Sequence, residues 1–407
     1  MLARVRLDYY IEEKEHKLIS QKFSVPTQYN VYFTRRSLDP CNPTLANALC
    51  ADNPIVRRKV FVVLDRGLSN ANLGIEQQLV KYFRAHRNAL EMVSSPMVVP
   101  GGEIVKDAPR WPLHIQRQLH KFHIDRHAIV LILGGGAVLD MAGFAAATTH
   151  RGVRTVRMPT TLLSQADGGL GVKTGINSFG VKNFLGTFTA PFGVLNDSDL
   201  LLTLAPRHLI SGMAEAVKVA LIRDVTFWGW LEESSDRLRS FHHSSLENLV
   251  HQSAIIHLEH ISKSGDPFEL GSARPLDFGH WAAHKLEMLS SYKIHHGEAV
   301  AIGIAIDCRY STEVGLLTEM ELERILALLH KLGLPIWHTA CDLKGSDGRL
   351  KILDGLDEFK EHVGGDLTIT LLKKIGEGKE TRNIDRTIVK RALSWLRKRH
   401  SSRCASK

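Results

Sequence analysis

The stretch "HAIVLILGGGAVLDMAGFAAATTHRG", residues 127–152, limits the possible folds more than any other part of the chain. A short apolar run rich in Val, Ile and Leu leads into Gly134, Gly135 and Gly136, and a helix-forming run of small apolar residues follows. That order predicts a buried strand, a tight turn and a helix, with backbone N–H groups and the positive helix end placed to face a pyrophosphate. The spacing is not G-x-G-x-x-G, so a tight turn without a ligand stays open on pattern alone. Earlier runs, "KVFVVLDRGL" and "LEMVSSPMVVPGGE", read as further strands of the same kind. Strands alternating with helices indicate a doubly wound parallel sheet. From about Arg207 the period becomes helical, in "HLISGMAEAVKVALI", "SLENLVHQSAIIHLEHI", "DFGHWAAHKLEML", "GEAVAIGIAIDCRYSTEVGLL" and "EMELERILALLHKLGL". The expected class is α/β: an N-terminal Rossmann-like parallel-sheet domain and a C-terminal all-helical domain, with one late strand at "DLTITLL". The expected divisions are a leading segment 1–55 with an edge strand in "FSVPTQYNVYFT", a sheet domain 56–205, a helical domain 206–395 and a basic tail 396–407.

A chain of 407 residues exceeds the usual limit of one core, which favours two domains. No apolar run approaches the roughly 20 residues that span a bilayer, so a soluble protein is expected, with no membrane partner. The start, "MLARVRLDYYIEEKEHKLI", is charged throughout and lacks the apolar core of a secretory signal, which points to the cytoplasm. Cys41, Cys50, Cys308, Cys341 and Cys404 are scattered and odd in number. They argue against a disulfide framework and a thiolate zinc site, leaving His and carboxylates as the ligands for any metal. Part of the formal charge of +9 lies in "KRALSWLRKRHSSRCASK", read as a solvated helix end. The remaining Lys and Arg are dispersed without a nucleic-acid signature, so no nucleic acid is expected; a basic cleft would suit an anionic small molecule.

"PLDFGHWAAHKLEMLSSYKIHHGEAVAIGIAID", 275–307, places His280, His284, His295 and His296 inside segments that otherwise read as buried helix. His280 and His284 are four apart and share a face. Imidazole without a partner is costly to bury, so clustered histidines in apolar surroundings point to a metal. In "ISGMAEAVKVALI", Glu215 and Lys218 interrupt an apolar helix, and a buried carboxylate has to be paired or ligated. One Glu with two His and open positions describes a catalytic site. Of His295 and His296 only one can point inward. "TTLLSQADGGLGVKTGINSFGVKNFLG" gathers Asp167, Lys173, Asn177, Lys182 and Asn183 among glycines, where backbone, lysines and amides can contact a phosphate. It reads as a loop.

Together these segments resemble the sugar phosphate cyclases of the 3-dehydroquinate synthase superfamily, from roughly Lys59 to Gly376. The motifs that carry the likeness are, in order, "GGGAVLDMAGFAAATTHRGV", "MPTTLLSQADGGLGVKTGIN", "KNFLGTF", "GMAEAVKVALI", "DFGH" and "HHGEAV". The resemblance implies NAD, reduced and reoxidised within one turnover, and a divalent metal, Zn2+ or Co2+. It assigns the metal to Glu215, His280 and His296. NAD falls to Asp65, Glu103, Lys106, Gly135, Gly136, Asp140, Thr160, Thr161 and Lys182. Lys173, Asn183 and His284 would surround a sugar phosphate with Asp167 and Lys218. Arg151 would reach the phosphate from a neighbouring subunit, which implies a homodimer. The implied reaction oxidises a secondary hydroxyl by hydride transfer to NAD, and phosphate then leaves by elimination beside the new ketone. The hydride returns, the ring opens, and an intramolecular aldol step closes a carbocycle.

The shikimate enzyme, 3-dehydroquinate synthase itself, typically has Asn where Asp277 stands and "DKK" where this chain reads "FKEHVGG". Asp277 and His362 resemble cyclases that use sedoheptulose 7-phosphate, whereas His284 matches dehydroquinate synthase. Val172 replaces a glycine of the usual "GGKT", and Arg274 lies one position nearer the ligand His. The segment "SGDPFELGSARPLDFGHWAAHKLE" is most similar to the EboD-like subgroup. An added aspartate would repel a substrate carboxylate and could accept a hydrogen bond from a neutral hydroxymethyl group. The expectation is therefore a sedoheptulose 7-phosphate cyclase. The alternatives are 3-dehydroquinate synthase, a metal-dependent polyol or glycerol dehydrogenase, and a binding protein that has lost turnover.

Overall fold

The computed structural model describes residues 12–13, 16–17, 19–263, 275–362 and 367–405; the side chains of 12–13, 16–17, 275, 361–362 and 403–405 lie outside that description. The first half contains β1 (Asn30–Thr34), β2 (Arg58–Asp65), β3 (Leu90–Met92), β4 (Met97–Val99), β5 (Ile129–Gly134), β6 (Arg154–Pro159), β7 (Lys173–Ser178), β8 (Val181–Phe188) and β9 (Gly193–Asp197). Seven of these form one sheet in the order β1–β9–β6–β5–β2–β3, with β4 also on β2. All its pairings are parallel. The segment before residue 56 thus contributes an edge strand to the main sheet.

β2 and β5 are apolar on both faces because both faces are covered. Val60, Val62, Leu64, Ile129, Leu131 and Leu133 pack on one side with α1 (Ile75–Ala85). Phe61, Val63, Val130 and Ile132 pack on the other with α2 (Arg110–Lys121) and α3 (Gly136–Thr148). From β2 the chain runs outward to β3 and β4, then returns to β5 on the opposite side of β2. The carboxyl ends of β2 and β5, at Asp65 and Gly134, therefore flank the topological switch point, where doubly wound sheets open a crevice.

The glycine-rich central stretch departs from expectation. β7 and β8 form an antiparallel hairpin there, preceded by a π-helical turn at Ser164–Gly168. The hairpin was masked in the sequence by its composition: Phe179, Val181, Phe184, Leu185 and Phe188 are exposed, so period-2 alternation does not mark a buried face.

The second half is built on α4 (Pro206–Arg223), α5 (His243–Lys263), α6 (His280–Leu289), α7 (His296–Glu313), α8 (Glu319–Leu332), α9 (Asp354–His362) and α10 (Arg386–Ala405). α4 and α7 are buried nearly all round and form the hub of a single apolar core. The late strand is half of a hairpin, Ile369–Lys374 with Glu377–Thr381. α10 runs without a break across position 395. Its Arg391, Arg397 and Arg399 meet Glu313, Asp342 and Glu323, which fits a solvated basic helix. No helix among the described residues is long and apolar enough to cross a membrane.

Candidate active site

Backbone contact between helices sets the polar cluster. A Cβ at Gly297 would overlap the Ser211 carbonyl, so α7 can lie against α4 only because glycine stands there. Gly279, with φ +78°, turns the chain into α6 while its backbone touches Gly303 and Ile304. These two glycines immediately precede or follow ligand-type residues: His280 opens α6 and His296 opens α7. Both imidazoles reach Glu215 on α4. His280 Nε2 lies 3.8 Å and His296 Nε2 3.4 Å from the same carboxylate oxygen.

The three residues offer ligand atoms all within 4.8 Å of one another. Both Glu215 oxygens are buried without a hydrogen bond of good geometry, although the Lys218 ammonium lies against one of them. His280 Nδ1 faces the Phe278 carbonyl at 3.1 Å, which fixes that nitrogen as donor and leaves Nε2 as the free lone pair. His296 Nδ1 lies 3.1 Å from Glu287. Two imidazoles held by second partners, with an orphaned carboxylate between them, form a group able to hold a divalent cation. His295 turns away and stacks on His208.

Electrostatics within the cluster are strong. Burial lowers Lys218, but Glu215 and Asp167 overcome it and hold the ammonium charged above its ordinary range. Burial likewise works against the Asp167 carboxylate, yet Lys218 at 3.2 Å and His257 at 2.9 Å keep it well below the usual range. His280 and His284 are both pushed well below neutral by burial, reinforced by Lys218 for the first and Lys182 for the second. His296 goes the other way: burial opposes its charge, but Glu287 and Glu215 raise it to about 9. A cation held at Nε2 would have to displace that proton, so its uptake would release acid.

Around the switch point, Asp65 caps the turn after β2 by accepting the Gly67 N–H at 2.7 Å. Gly134 packs against Asp65 and Val138, Gly135 lies beside Thr161, and nothing stands within 4 Å of where a Gly136 Cβ would be. The Thr160 N–H donates to the Gly134 carbonyl at 3.0 Å, and Thr161 Oγ1 meets Ser164 Oγ at 2.7 Å. Lys106 bridges Asp140 (2.7 Å) and Asn183, so three of the expected residues share one network. Lys182 binds Glu287 at 3.0 and 3.1 Å and approaches Glu103 at 3.9 Å. The second Glu103 oxygen is buried without a partner, an acceptor that a ribose hydroxyl would satisfy.

Asp277 ends a short 3-10 turn, Pro275–Asp277, that packs against α4, and its charge adds to those that raise Lys218. Lys173 begins the hairpin at its exposed end. Arg151 is not brought to this cluster. It is exposed, with φ +63°, just beyond the far end of α3, whose 13 residues put it about 20 Å from the glycine turn. His362 closes α9 with its side chain outside the described part, and Arg274 lies outside the described residues altogether.

Three residues were not singled out from sequence. Glu287 shares the α6 face of His280 and His284, a signal that its spacing did carry. His257, on α5, lies against Asp167 but reads as one of several surface-like histidines. Arg157, 1% exposed on β6, donates to the carbonyls of Gly169, Gly171 and Lys173 and so ties down the loop that carries Lys173. A separate cavity of about 480 Å³, walled by Arg35, Gln165, Asn196, Glu247 and His251, contains none of the cluster residues.

Known proteins match both halves of this arrangement. The 3-dehydroquinate synthase N-terminal family fits residues 96–211 and the 3-dehydroquinate synthase C-terminal family residues 212–351. A 3-dehydroquinate synthase of Halorhodospira halophila is 36% identical over 325 residues, 77% of this chain and 89% of that protein. Another, from Acinetobacter baylyi, is 36% identical over 323 residues, covering 79% and 87%. Among solved structures, 2-epi-5-epi-valiolone synthase from Streptomyces hygroscopicus subsp. jinggangensis, with NAD+ and Zn2+ bound, superposes with a TM-score of 0.82 at 29% identity, covering 93% of this chain and 99% of that one. With the cluster, the switch-point crevice and these likenesses all in register, the chain belongs to the 3-dehydroquinate synthase family.

Proposed function

We propose that the protein is a metal- and NAD-dependent sugar phosphate cyclase acting on a seven-carbon ketose phosphate, with sedoheptulose 7-phosphate as the preferred substrate, and that it falls in the EboD-like subgroup. When bound together, a divalent cation and NAD supply a reversible oxidation of one secondary hydroxyl, which makes phosphate elimination and its sequel possible. The chain's own residues divide the remaining work. Glu215, His280 and His296 hold the cation, which fits their orphaned and pre-oriented donors. Asp65, Glu103, Lys106, Gly135, Gly136, Asp140, Thr160, Thr161 and Lys182 line the cofactor crevice. Lys218 and Asp167, each locked in its charged form by the other, place an ammonium and a carboxylate beside the reacting carbons. Lys173, Asn183 and His284 take the sugar phosphate, joined by Arg274 and His362. Arg151, standing away from its own cluster, serves a second copy, so the working unit is a homodimer.

One observation carries the choice of substrate: Asp277 ends a turn that packs against α4, the helix of Glu215 and Lys218, and adds a carboxylate on that side. It favours a neutral hydroxymethyl group over a substrate carboxylate at that point. The second reading, 3-dehydroquinate synthase, is favoured by relatives of that name at 36% identity over most of their length.

Phosphate release from purified protein given each sugar in turn separates the two. Release from sedoheptulose 7-phosphate and not from the 3-deoxy acid sugar phosphate is expected; the reverse pattern would establish the second reading. Asp277→Asn should shift that preference by tenfold or so while leaving metal content unchanged, and equal loss on both sugars would make Asp277 structural. Accumulation of NADH without phosphate release would instead indicate a polyol dehydrogenase.

A further inference from the structure

Glu287 occupies an unusual place between the two halves. Its carboxylate, 2% exposed on α6, accepts from Lys182 on β8 through both oxygens, at 3.0 and 3.1 Å. One of the same oxygens lies 3.1 Å from His296 Nδ1. A single buried group therefore touches a residue of the cofactor crevice and a residue of the cation cluster. His284, Glu287 and His296 could be counted as a second ligand set, since their donor atoms also gather within 4.8 Å. Against that, Glu287 is already surrounded by cationic donors, and His296 turns only its Nδ1 side to it while Nε2 faces Glu215.

We infer that Glu287 is a positioning residue that couples occupancy of the cofactor crevice to the affinity of Glu215, His280 and His296 for a divalent cation. The inference rests on the proposed function. Its physical basis is competition for one carboxylate. The more fully Glu287 accepts the His296 Nδ1–H, the more basic Nε2 becomes and the more tightly that nitrogen binds a cation. Lys182 draws electron density from the same carboxylate, and its charge is shared with Glu103, 3.9 Å away on the crevice side. Glu103 also presents the buried oxygen that has no partner. A dinucleotide that engages Lys182 and Glu103 pulls the ammonium toward itself and releases Glu287 to His296. The cation then binds more tightly, and by linkage the cation tightens the dinucleotide by the same factor.

The test uses chelator-treated full-length protein titrated with Co2+, followed by its visible absorption, with and without saturating NAD+. In the wild type, NAD+ should tighten Co2+ by about 5- to 20-fold, and Co2+ should tighten NAD+ by the same factor. Glu287→Gln keeps the shape and should bind both ligands, with the coupling factor reduced to within about twofold of unity. Lys182→Met leaves the Glu287–His296 contact in place and cuts its link to the crevice, so coupling should vanish there too. Wild-type coupling that persists in either variant, or a wild type that binds both ligands independently, overturns the inference. A wild type that binds neither Co2+ nor NAD+ overturns the proposed function, and the inference with it.

Discussion

Two of the places where carboxylates and cations meet on the helical half stand in contrast: around Glu215, where Lys218 and the two imidazoles are largely enclosed, and along α10, where arginines reach carboxylates at the surface. In the first place the Lys218 and Glu215 side chains are 2% and 1% exposed; in the second, Arg397 and Asp342 are 55% and 40% exposed. Similar pairs behave differently because water screens one set and is excluded from the other. Exposed pairs contribute about 0–1 kcal/mol each. A buried set costs desolvation that its mutual attraction only partly offsets, and an apolar replacement of the whole set is often neutral or stabilising. Nothing in folding requires Glu215, Lys218 and Asp167 at the hub of an apolar core. Their presence there is the strongest sign of chemistry in the chain.

Glu215→Ala breaks the buried side of this comparison most completely. Turnover should fall at least roughly a thousandfold, equivalent to about 4 kcal/mol, as the shared carboxylate between His280 and His296 disappears. Bound metal, measured by elemental analysis, should fall to background while NAD still binds. Unchanged metal with normal turnover would place the cation elsewhere.

The buried and exposed regions also differ in how legible they are. β2 and β5 could be read because both their faces are covered, which leaves an unbroken apolar run. Glu215, His280 and His296 stand out in the sequence because they are polar residues in helices that otherwise read as buried, and the structure gathers them. Glu287 shares a helix face with His280 and His284, but its pairing with Lys182, 105 positions away, is something no local period can reveal. His257 likewise gains its role only from the turn that brings Asp167 to α5. The fold class followed from local patterns, whereas these two contacts depend on how the halves close on each other.

A second buried carboxylate sharpens the point. Asp307 on α7, 3% exposed against 18% for the Asp167 side chain, takes neutral donors, Trp281 Nε1 at 2.9 Å and Gly279 N at 3.1 Å. Burial therefore prevails and pushes it up to about 7. A carboxyl whose folded pKa exceeds its unfolded value binds its proton more tightly in the native state. Its stabilising contribution is present below about pH 4 and is lost as pH rises through about 7, amounting to a few kcal/mol. Urea midpoints of wild type and Asp307→Asn between pH 4 and 8 should diverge, the wild type losing more stability as pH rises. Parallel profiles would mean that the two N–H donors keep Asp307 ionised throughout.

Gly297→Ala tests the backbone frame of the same region. The added methyl overlaps the Ser211 carbonyl, so α7 has to shift from α4 at a cost of about 1–3 kcal/mol. His296, the neighbouring residue, moves with it, and cation affinity should drop together with melting temperature. Gly229→Ala, in a short helix with nothing within 4 Å of its Cβ position, is the control and should be neutral or stabilising by up to about 1 kcal/mol. Equal losses at both positions would mean that glycine serves chain flexibility and not contact.

The smallest effect belongs to the surface set. Arg397→Ala removes a 3.4 Å contact with Asp342 between two half-solvated side chains. Stability should change by less than about 0.5 kcal/mol, and any change should disappear in 0.5 M salt, where the screening length is shorter than the usual ~10 Å. Turnover and metal content should not move, because this pair lies outside both the cation cluster and the cofactor crevice. A loss comparable to that of Gly297→Ala, persisting in salt, would show that α10 holds the helical half by specific charge contacts and not by the apolar residues Val389, Leu393 and Leu396 that it buries in the core.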